Sequence, residues 1–387
     1  MALNLIRNSR LFFTTNVDAS SGVVSIADCD ASNTFEIQVL DGFTFTQNTN
    51  ADTITLSEAG PAPVRGQRSF NSSLAPVDFS FSTYVRPKLH KGSLDPEENL
   101  IADPEEKHLW NALASSTAVG GVGAGWDNTT GVLSFTNSNA HQLVKFGLII
   151  QVDNATYVID NAALNQAVVD FGIDAICTIA WTGQATGLRQ YNGVTLTDGS
   201  TDVTFGGDDF GTSKATKKDV TAAYIANKLS TATVYPGINN TSTGAFTVPL
   251  TAGSITINNN ITYLTPANLG AVNLPITYFT GTRAVSGTMT AYLRTGGTGD
   301  TGNLLASVLE DAATSPDNQY TIVIAMGGTT NANKMEFKMP AAMLQIPTVK
   351  AEAVMATDIN FTAQGSASGA FDIAAANEIT VTYSAAA

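Results

Sequence analysis

Residues 157–184, YVIDNAALNQAVVDFGIDAICTIAWTGQ, lie over residues 337–364, FKMPAAMLQIPTVKAEAVMATDINFTAQ, at a constant offset of 180. Ala162 meets Ala342, Leu164 meets Leu344, Val169 meets Val349 and Ile179 meets Ile359. Thr182 then meets Thr362, and Gln184 meets Gln364. The shared periodicity says more than these identities do. Val169, Phe171, Ile173, Ala175, Cys177, Ile179 and Trp181 occupy every second position, and Val349 to Phe361 keep the same phase. Side chains alternate across a strand, so each run reads as a long strand burying one face. Asp170 and Asp174 fall on the opposite face of one run; Lys350, Glu352, Asp358 and Asn360 fall there in the other. A slip of one residue would bury those charges, so the phase is constrained.

A second block repeats upstream. VDFSFSTYVR (77–86) matches VSGTMTAYLR (285–294) at an offset of 208, setting Tyr84 on Tyr292 and Arg86 on Arg294. Each copy leads to a helix. DPEEKHLWNALASS offers Asp103 as N-cap, Pro104 at the first helical position and Glu106 to complete a capping box, with Leu109, Trp110 and Leu113 as the apolar stripe. DTGNLLASVLED offers Asp300 or Thr301 as cap and Leu304, Leu305, Val308 and Leu309 as the stripe. The expectation is a mainly β protein of two tandem similar domains, 1–189 and 190–387. Each is a sandwich or half-barrel with one flanking helix. Residues 190–231 form a linker or insertion, in which KKDVTAAYIANKLST reads as an extra helix without a counterpart.

Composition agrees with a β-rich chain. Of 387 residues only 13% are charged, and Thr, Ser, Asn, Ala and Gly fill the difference, as in short strands joined by polar turns. With 19 basic and 33 acidic side chains the formal charge is −14, which disfavours specific binding of nucleic acid but suits proximity to it without adhesion. Cys29 and Cys177 could pair, but Cys177 sits among alternating apolar positions and reads better as a buried free thiol. Arg7 and Arg10 interrupt the N-terminal apolar run, and no stretch is long enough to span a bilayer as a helix. The expectation is a soluble chain made in a reducing cytoplasm.

RTGGTGDTG (294–302) contains a G-x-G-x-x-G between an expected strand and helix, the outline of a dinucleotide-binding turn. Its counterpart in the first half has one glycine, and the preceding strand alternates polar and apolar rather than being buried on both faces. The glycines read as a connector. VGGVGAGWD (119–127) reads as a loop, because no GK[ST] follows. His90, His108 and His141 form no metal or catalytic spacing, and His108 is expected at least half-exposed among charged neighbours. Asp198, Asp202, Asp208 and Asp209 read as a solvated turn rather than a calcium loop. Trp110, Trp126 and Trp181 read as core or interface aromatics. No catalytic residue, metal or cofactor is assigned.

NSRLFFTTN (8–16), SITINNNITYLTPANLGAVNLPITYFTGTRAVSGTMTAYLR (254–294) and MATDINFTAQGSASGAFD (355–372) together resemble the major tail tube proteins of long-tailed bacteriophages, in the variant with two tube domains per chain. That resemblance implies a structural virion protein that assembles with itself, as hexamers or as trimers with pseudo-six-fold symmetry, into stacked rings around a DNA channel. It implies a tail terminator, a tape measure and a baseplate as further partners, a place in the virion tail and no membrane. Under it, Asp170, Asp174, Glu352 and Asp358 are the candidate channel-lining residues. The loop Pro87–Ala102, with Lys88, Lys91, Asp95, Glu97 and Glu98, is the candidate contact between subunits. A β-rich surface adhesin is the alternative reading.

Overall fold

The computed structural model describes residues 9–384 apart from 30–32, 41, 55–66, 88, 92–99, 103, 105, 123, 136–141, 153–154, 192–223, 316–317, 328–332, 351–353 and 366–376. The chain begins with β1 (Ser9–Thr14), β2 (Thr34–Ile37), β3 (Thr44–Ile54) and β4 (Arg68–Tyr84). A short ribbon of β5 (Leu89–Lys91) and β6 (Leu100–Ala102) precedes helix α1 (Lys107–Ala114). Next come β7 (Trp126–Asp127), β8 (Val132–Ser134), β9 (Phe146–Val152), β10 (Ala155–Gly172), β11 (Thr178–Ala185) and β12 (Gly187–Tyr191). The second half runs through β13 (Thr231–Pro236), β14 (Phe246–Val248), β15 (Leu250–Asn258), β16 (Ile261–Leu264), β17 (Thr277–Thr280) and β18 (Ala284–Tyr292). Helix α2 (Thr301–Thr314) leads to β19 (Gln319–Gly327), β20 (Lys334–Leu344), β21 (Thr348–Lys350), β22 (Ala356–Gln364) and β23 (Thr380–Ser384).

Every ladder is antiparallel. In the first half the order is β3–β4–β11–β10–β9–β1–β2, with β12 also on β10. In the second it is β15–β18–β22–β20–β19–β13–β14, with β23 also on β20. The second order repeats the first, strand for strand. Strands β10 and β20 each gain a new ladder partner around a bulge. Ile159 faces Leu148 and Ala162 faces Phe146, leaving Asp160 and Asn161 against the single residue Gly147. Met339 faces Ile322 and Ala342 faces Tyr320, leaving Pro340 and Ala341, again 180 positions on. A bulge bends a strand and re-aims the residues beyond it; Asn161 takes a left-handed backbone (φ 51°) to do so.

Two ladders join the halves. Gln166–Gly172 of β10 pair with Ala252–Asn258 of β15, and Val132–Ser134 of β8 pair with Thr380–Thr382 of β23. One core runs through both: Trp110, Trp181, Phe146, Phe337 and Met326 are all fully buried in it. Trp110 meets Trp181 edge-on at 4.9 Å between ring centroids, and Trp181 Nε1 donates to Thr83 Oγ1 at 2.9 Å. The strands wrap this core as a barrel wall does. Yet among the described residues, ladders traced from β3 end at β21 and do not return to β3.

Several expectations need correction. The run from Val169 to Trp181 is a hairpin rather than one strand: β10 ends at Gly172, β11 begins at Thr178, and Val169 faces Ile179. The alternation persists because antiparallel partners directly opposite share a face; Ile173 and Ala175, in the turn, are exposed. The second run divides the same way, Val349 facing Thr357. With Tyr84 set on Tyr292, the ladders put Thr182 over Asn360 rather than Thr362, since Ser80 faces Thr182 and Thr288 faces Asn360. The turn after β21 is shorter by two residues, as Asp170 faces Thr178 but Lys350 faces Ala356.

Helix α1 starts at Lys107, so Pro104 precedes it, and Glu106 at the cap position makes no side-chain cap; Asp103 lies outside the described residues. Glu106 is instead buried, accepting from Arg86 N (3.2 Å) and Tyr383 Oη (3.1 Å). His108 is buried, not half-exposed, with its ring stacked on Phe35 at 3.7 Å. Asn111 on the same helix ties down the glycine-rich loop, Oδ1 accepting from Gly125 N and Trp126 N at 2.9 and 3.1 Å. Of the expected stripe on α2, Leu304 and Val308 are buried while Leu309 is exposed. No α-helix covers Tyr224–Ser230. The turn between β10 and β11 recruits that segment, Cys177 N donating to Ile225 O and Asn227 N to Ala175 O, and a 3-10 turn occupies Asn227–Leu229. Residues 217–223, the rest of that expected helix, lie outside the described residues. Both cysteines are free and buried, and burial pushes the Cys177 thiol far up.

The C-terminal strand locks the first helix in place. Tyr383 is buried, its Oη accepting from Trp110 Nε1 at 2.8 Å and donating to Glu106. Its hydroxyl is held far above the usual phenol range, by burial first and by the Glu106 charge second. Tyr383→Phe takes an acceptor from Trp110 and a donor from Glu106, at a cost of roughly 1–3 kcal/mol in a dry core. Chemical denaturation measures this; a loss under about 0.5 kcal/mol contradicts the role given to that hydroxyl.

Candidate functional site: a polar sheet wall

The ladders define one continuous run of eight strands, β3–β4–β11–β10–β15–β18–β22–β21. Its inner face is core: Val77, Phe79, Phe81, Val169, Ile179, Trp181, Ile255, Ile257, Met289, Ile359 and Phe361 are buried. Because opposed residues share a face, the registers fix the other face. One row reads Thr44, Ser80, Thr182, Gln166, Asn258, and another Asp170, Ser254, Thr288, Asn360. Hydroxyls and amides dominate. This face is mostly polar, interrupted by Val168, Ala180 and Ala252, with Tyr84 and Tyr292 near one end of their strands.

With the outer β3–β4 hairpin (Asp52 and Arg68) set aside, its described charges are three carboxylates and one ammonium. Asp78 accepts from Gln184 Nε2 across the ladder at 2.9 Å. Asp170 is exposed between Thr178 and Ser254. Asp358 accepts from Thr290 Oγ1 at 2.9 Å and is ion-paired with Lys350. The Lys350 ammonium above all, helped by the Thr290 hydroxyl, holds the Asp358 carboxyl below the usual range against the opposing effect of burial. Ser and Thr side chains bond across the strands, Thr44 to Ser80 at 2.8 Å and Ser254 to Thr288 at 3.4 Å. None of these residues is a paired nucleophile and base.

Two of the four expected lining residues therefore sit on this face. Asp170 and Asp358 are brought onto it; Asp174 lies in the tight turn after β10, at the sheet's end and not on a strand. Glu352 lies outside the described residues, as do Lys88, Asp95, Glu97 and Glu98. Lys91 lies in β5, which pairs antiparallel with β6. Asp78 was missed, though it stands in the repeated block beside Val77. Also missed was the long β3–β4 hairpin, whose outer part (49–54 with 68–74) projects as an arm braced by Leu74 N to Asn273 O at 2.9 Å. The arm part of β3, TNADTI (49–54), is exposed along its length and gives no alternation to read.

The glycine connector is filled by its own chain. Asp300 caps α2, its carboxylate accepting from Gly297 N (2.8 Å) and Asn303 N (3.1 Å), so a carboxylate already occupies the positive helix end. Gly299 (φ 73°) passes so near Ala245 O that a Cβ would lie 2.4 Å from it. The strand before it, β18, is flanked by two antiparallel neighbours. Asp198, Asp202, Asp208, Asp209 and His141 lie outside the described residues. Among the described residues no three His, Cys, Asp or Glu cluster as metal ligands, and no helix is long and apolar enough to cross a membrane.

The wall is wide, wet and one-sided, with an open hollow lined by Thr44, Asp78, Ser80, Thr182 and Gln184, and comparison with known proteins places it among those of phage tails. No protein-family model matches the chain. A curated relative, tail tube protein pb6 of Escherichia phage T5, is 31% identical over 373 residues, covering 94% of this chain and 73% of that protein. The chain belongs to the phage tail tube proteins, with a structural role in the tail, and the adhesin reading is not favoured.

Lys350→Met should bring the Asp358 carboxyl up toward the ordinary aspartate value of about 3.9. While its native pKa stays below the unfolded one, Asp358 contributes stability above the unfolded pKa, and this fades as pH falls through the native pKa. A carboxyl NMR titration reads the change; an unmoved Asp358 contradicts the assigned cause.

Proposed function

We propose that copies of this chain assemble into stacked rings forming a phage tail tube, the polar face of each eight-stranded wall turned inward around the DNA channel. The observation carrying this reading is that face: continuous over eight strands, hydroxyl- and amide-rich, with three carboxylates against one ammonium. Nucleic acid is held where Lys and Arg replace condensed counterions. A wall of Ser, Thr, Asn and Asp wets the duplex and does not hold it.

Residues 1–189 and 190–387 are the two tube domains, 190–231 being an inserted connector. The repeated strand order and the bulges 180 positions apart support this. Three chains then make a ring of pseudo-six-fold symmetry. The β3–β4 arm and the β5–β6 ribbon are the contacts to neighbouring copies. Tail terminator, tape measure and baseplate proteins are the other partners. The chain is made in the host cytoplasm, ends in the virion tail and catalyses no reaction.

Negative-stain microscopy of purified protein should show rings or tubes, with three-fold or pseudo-six-fold averages; a monodisperse monomer under all assembly conditions contradicts the reading. Phage carrying Asp78→Lys with Asp170→Lys should build tails of normal length yet eject DNA more slowly, by about tenfold or more at low salt. Unaltered ejection means that this face does not line the channel.

A further inference from the structure

We infer that the edge of β21 in one copy pairs antiparallel with the edge of β3 in the next, Thr348 facing Thr46 and Val349 facing Phe45. The inference rests on the tube reading above, and it names the strands and register that close the wall. Its template lies within the chain. At the ladder joining the halves, Val168 faces Thr256, Val169 faces Ile255 and Asp170 faces Ser254. Each of those strands has a positional counterpart. Val349 stands to β21 as Val169 stands to β10. Ser80 faces Thr44 and Thr288 faces Ser254, so β3 stands to β4 as β15 stands to β18, and Phe45 takes the place of Ile255. Carrying the internal ladder over turns Val168–Thr256 into Thr348–Thr46, and Val169–Ile255 into Val349–Phe45.

Burial agrees with that transfer. Val169 and Ile255, which meet inside the chain, are both 0% exposed, whereas Val349 is 40% exposed and Phe45 only partly buried. The apolar side chains are in place and the cover is missing. On the other face, Thr348 and Thr46 are exposed and would continue the hydroxyl rows of the wall across the joint. Among the described residues β21 has one ladder partner, β22, and β3 has one, β4. An edge in that condition is a template for another strand. A second copy supplies the matching one, since the two edges sit at opposite ends of the same eight-strand run.

The test is a disulfide between copies. Directly opposed residues in an antiparallel ladder have Cα atoms about 4.5–5.5 Å apart, within disulfide reach. In wild type Cys29 and Cys177 are buried and give little background. Full-length Thr46→Cys/Thr348→Cys protein, assembled and then oxidised with copper phenanthroline, should form covalent dimers and higher species in high yield. Neither single variant should do so, nor should Asn50→Cys/Thr348→Cys, displaced by four residues. Cross-linking in Thr348→Cys alone would mean that β21 pairs with its own copy, which overturns the inference. Tubes that form without the disulfide overturn the register while leaving the tube reading intact. Wild-type protein that never assembles overturns the tube reading itself. Should the cysteine variant fail to assemble, hydrogen exchange on wild-type tubes decides. The edge-facing amides among residues 43–47 and 348–350 should slow by at least about tenfold on assembly, and unchanged exchange there overturns the pairing.

Discussion

The structure depends on what β10 must satisfy along its length. Before its bulge it pairs with β9 and β12, and after it with β11 and β15. A buried strand cannot leave its amides unpaired, so one strand fixes four neighbours and both layers. The bend is secured by charge as well. Asp160, one of the two residues set against Gly147, is nearly buried, accepts from Val24 N at 2.8 Å, and is paired with Arg189 at 2.8 Å. Arg189 also donates to Val24 O, so the corner clamps the N-terminal loop onto the last strand of the first half. Removing Arg189 would leave the Asp160 carboxylate poorly solvated, which is costly where loss of a surface pair would not be.

From that corner comes the wall. Redirected by the bulge, β10 enters a sheet whose strands each bury every second residue, and the side chains between are free to be polar. Selection for one apolar face and one wet face explains the low charge of the chain and its wealth of Thr, Ser and Asn. These residues tolerate strand geometry and bond across it without bringing net charge. In the proposed tube, the functional surface is a sheet face, and its chemistry is the absence of strong attraction.

Much of this was legible because strands have period two. The phase shared by Val169–Trp181 and Val349–Phe361 located β10, β11, β21 and β22 and put Asp170 and Asp358 on the polar side. It could not show the turns, since an antiparallel hairpin preserves phase through them; hence Asp174 was assigned to a strand it does not join. The two-residue difference between the hairpins was invisible for the same reason, a shift of two restoring the same face. Tertiary demands overrode local propensity elsewhere. Glu106 gave up a capping role for Tyr383, His108 found Phe35, and Tyr224–Ser230 was drawn out of a helix by the backbone of Ala175 and Cys177. The β3–β4 arm left no signal because neither of its faces is buried.

The claim beneath all of this is that the polar face becomes the inside of a tube only when neighbouring copies complete the sheet. A helical reconstruction of the assembled tail by electron cryomicroscopy measures it directly. The account predicts an unbroken β wall around the lumen, eight strands from each chain, with Asp78, Asp170 and Asp358 pointing into the channel. A map in which those side chains face outward, or in which the strands of adjacent chains do not touch, contradicts it.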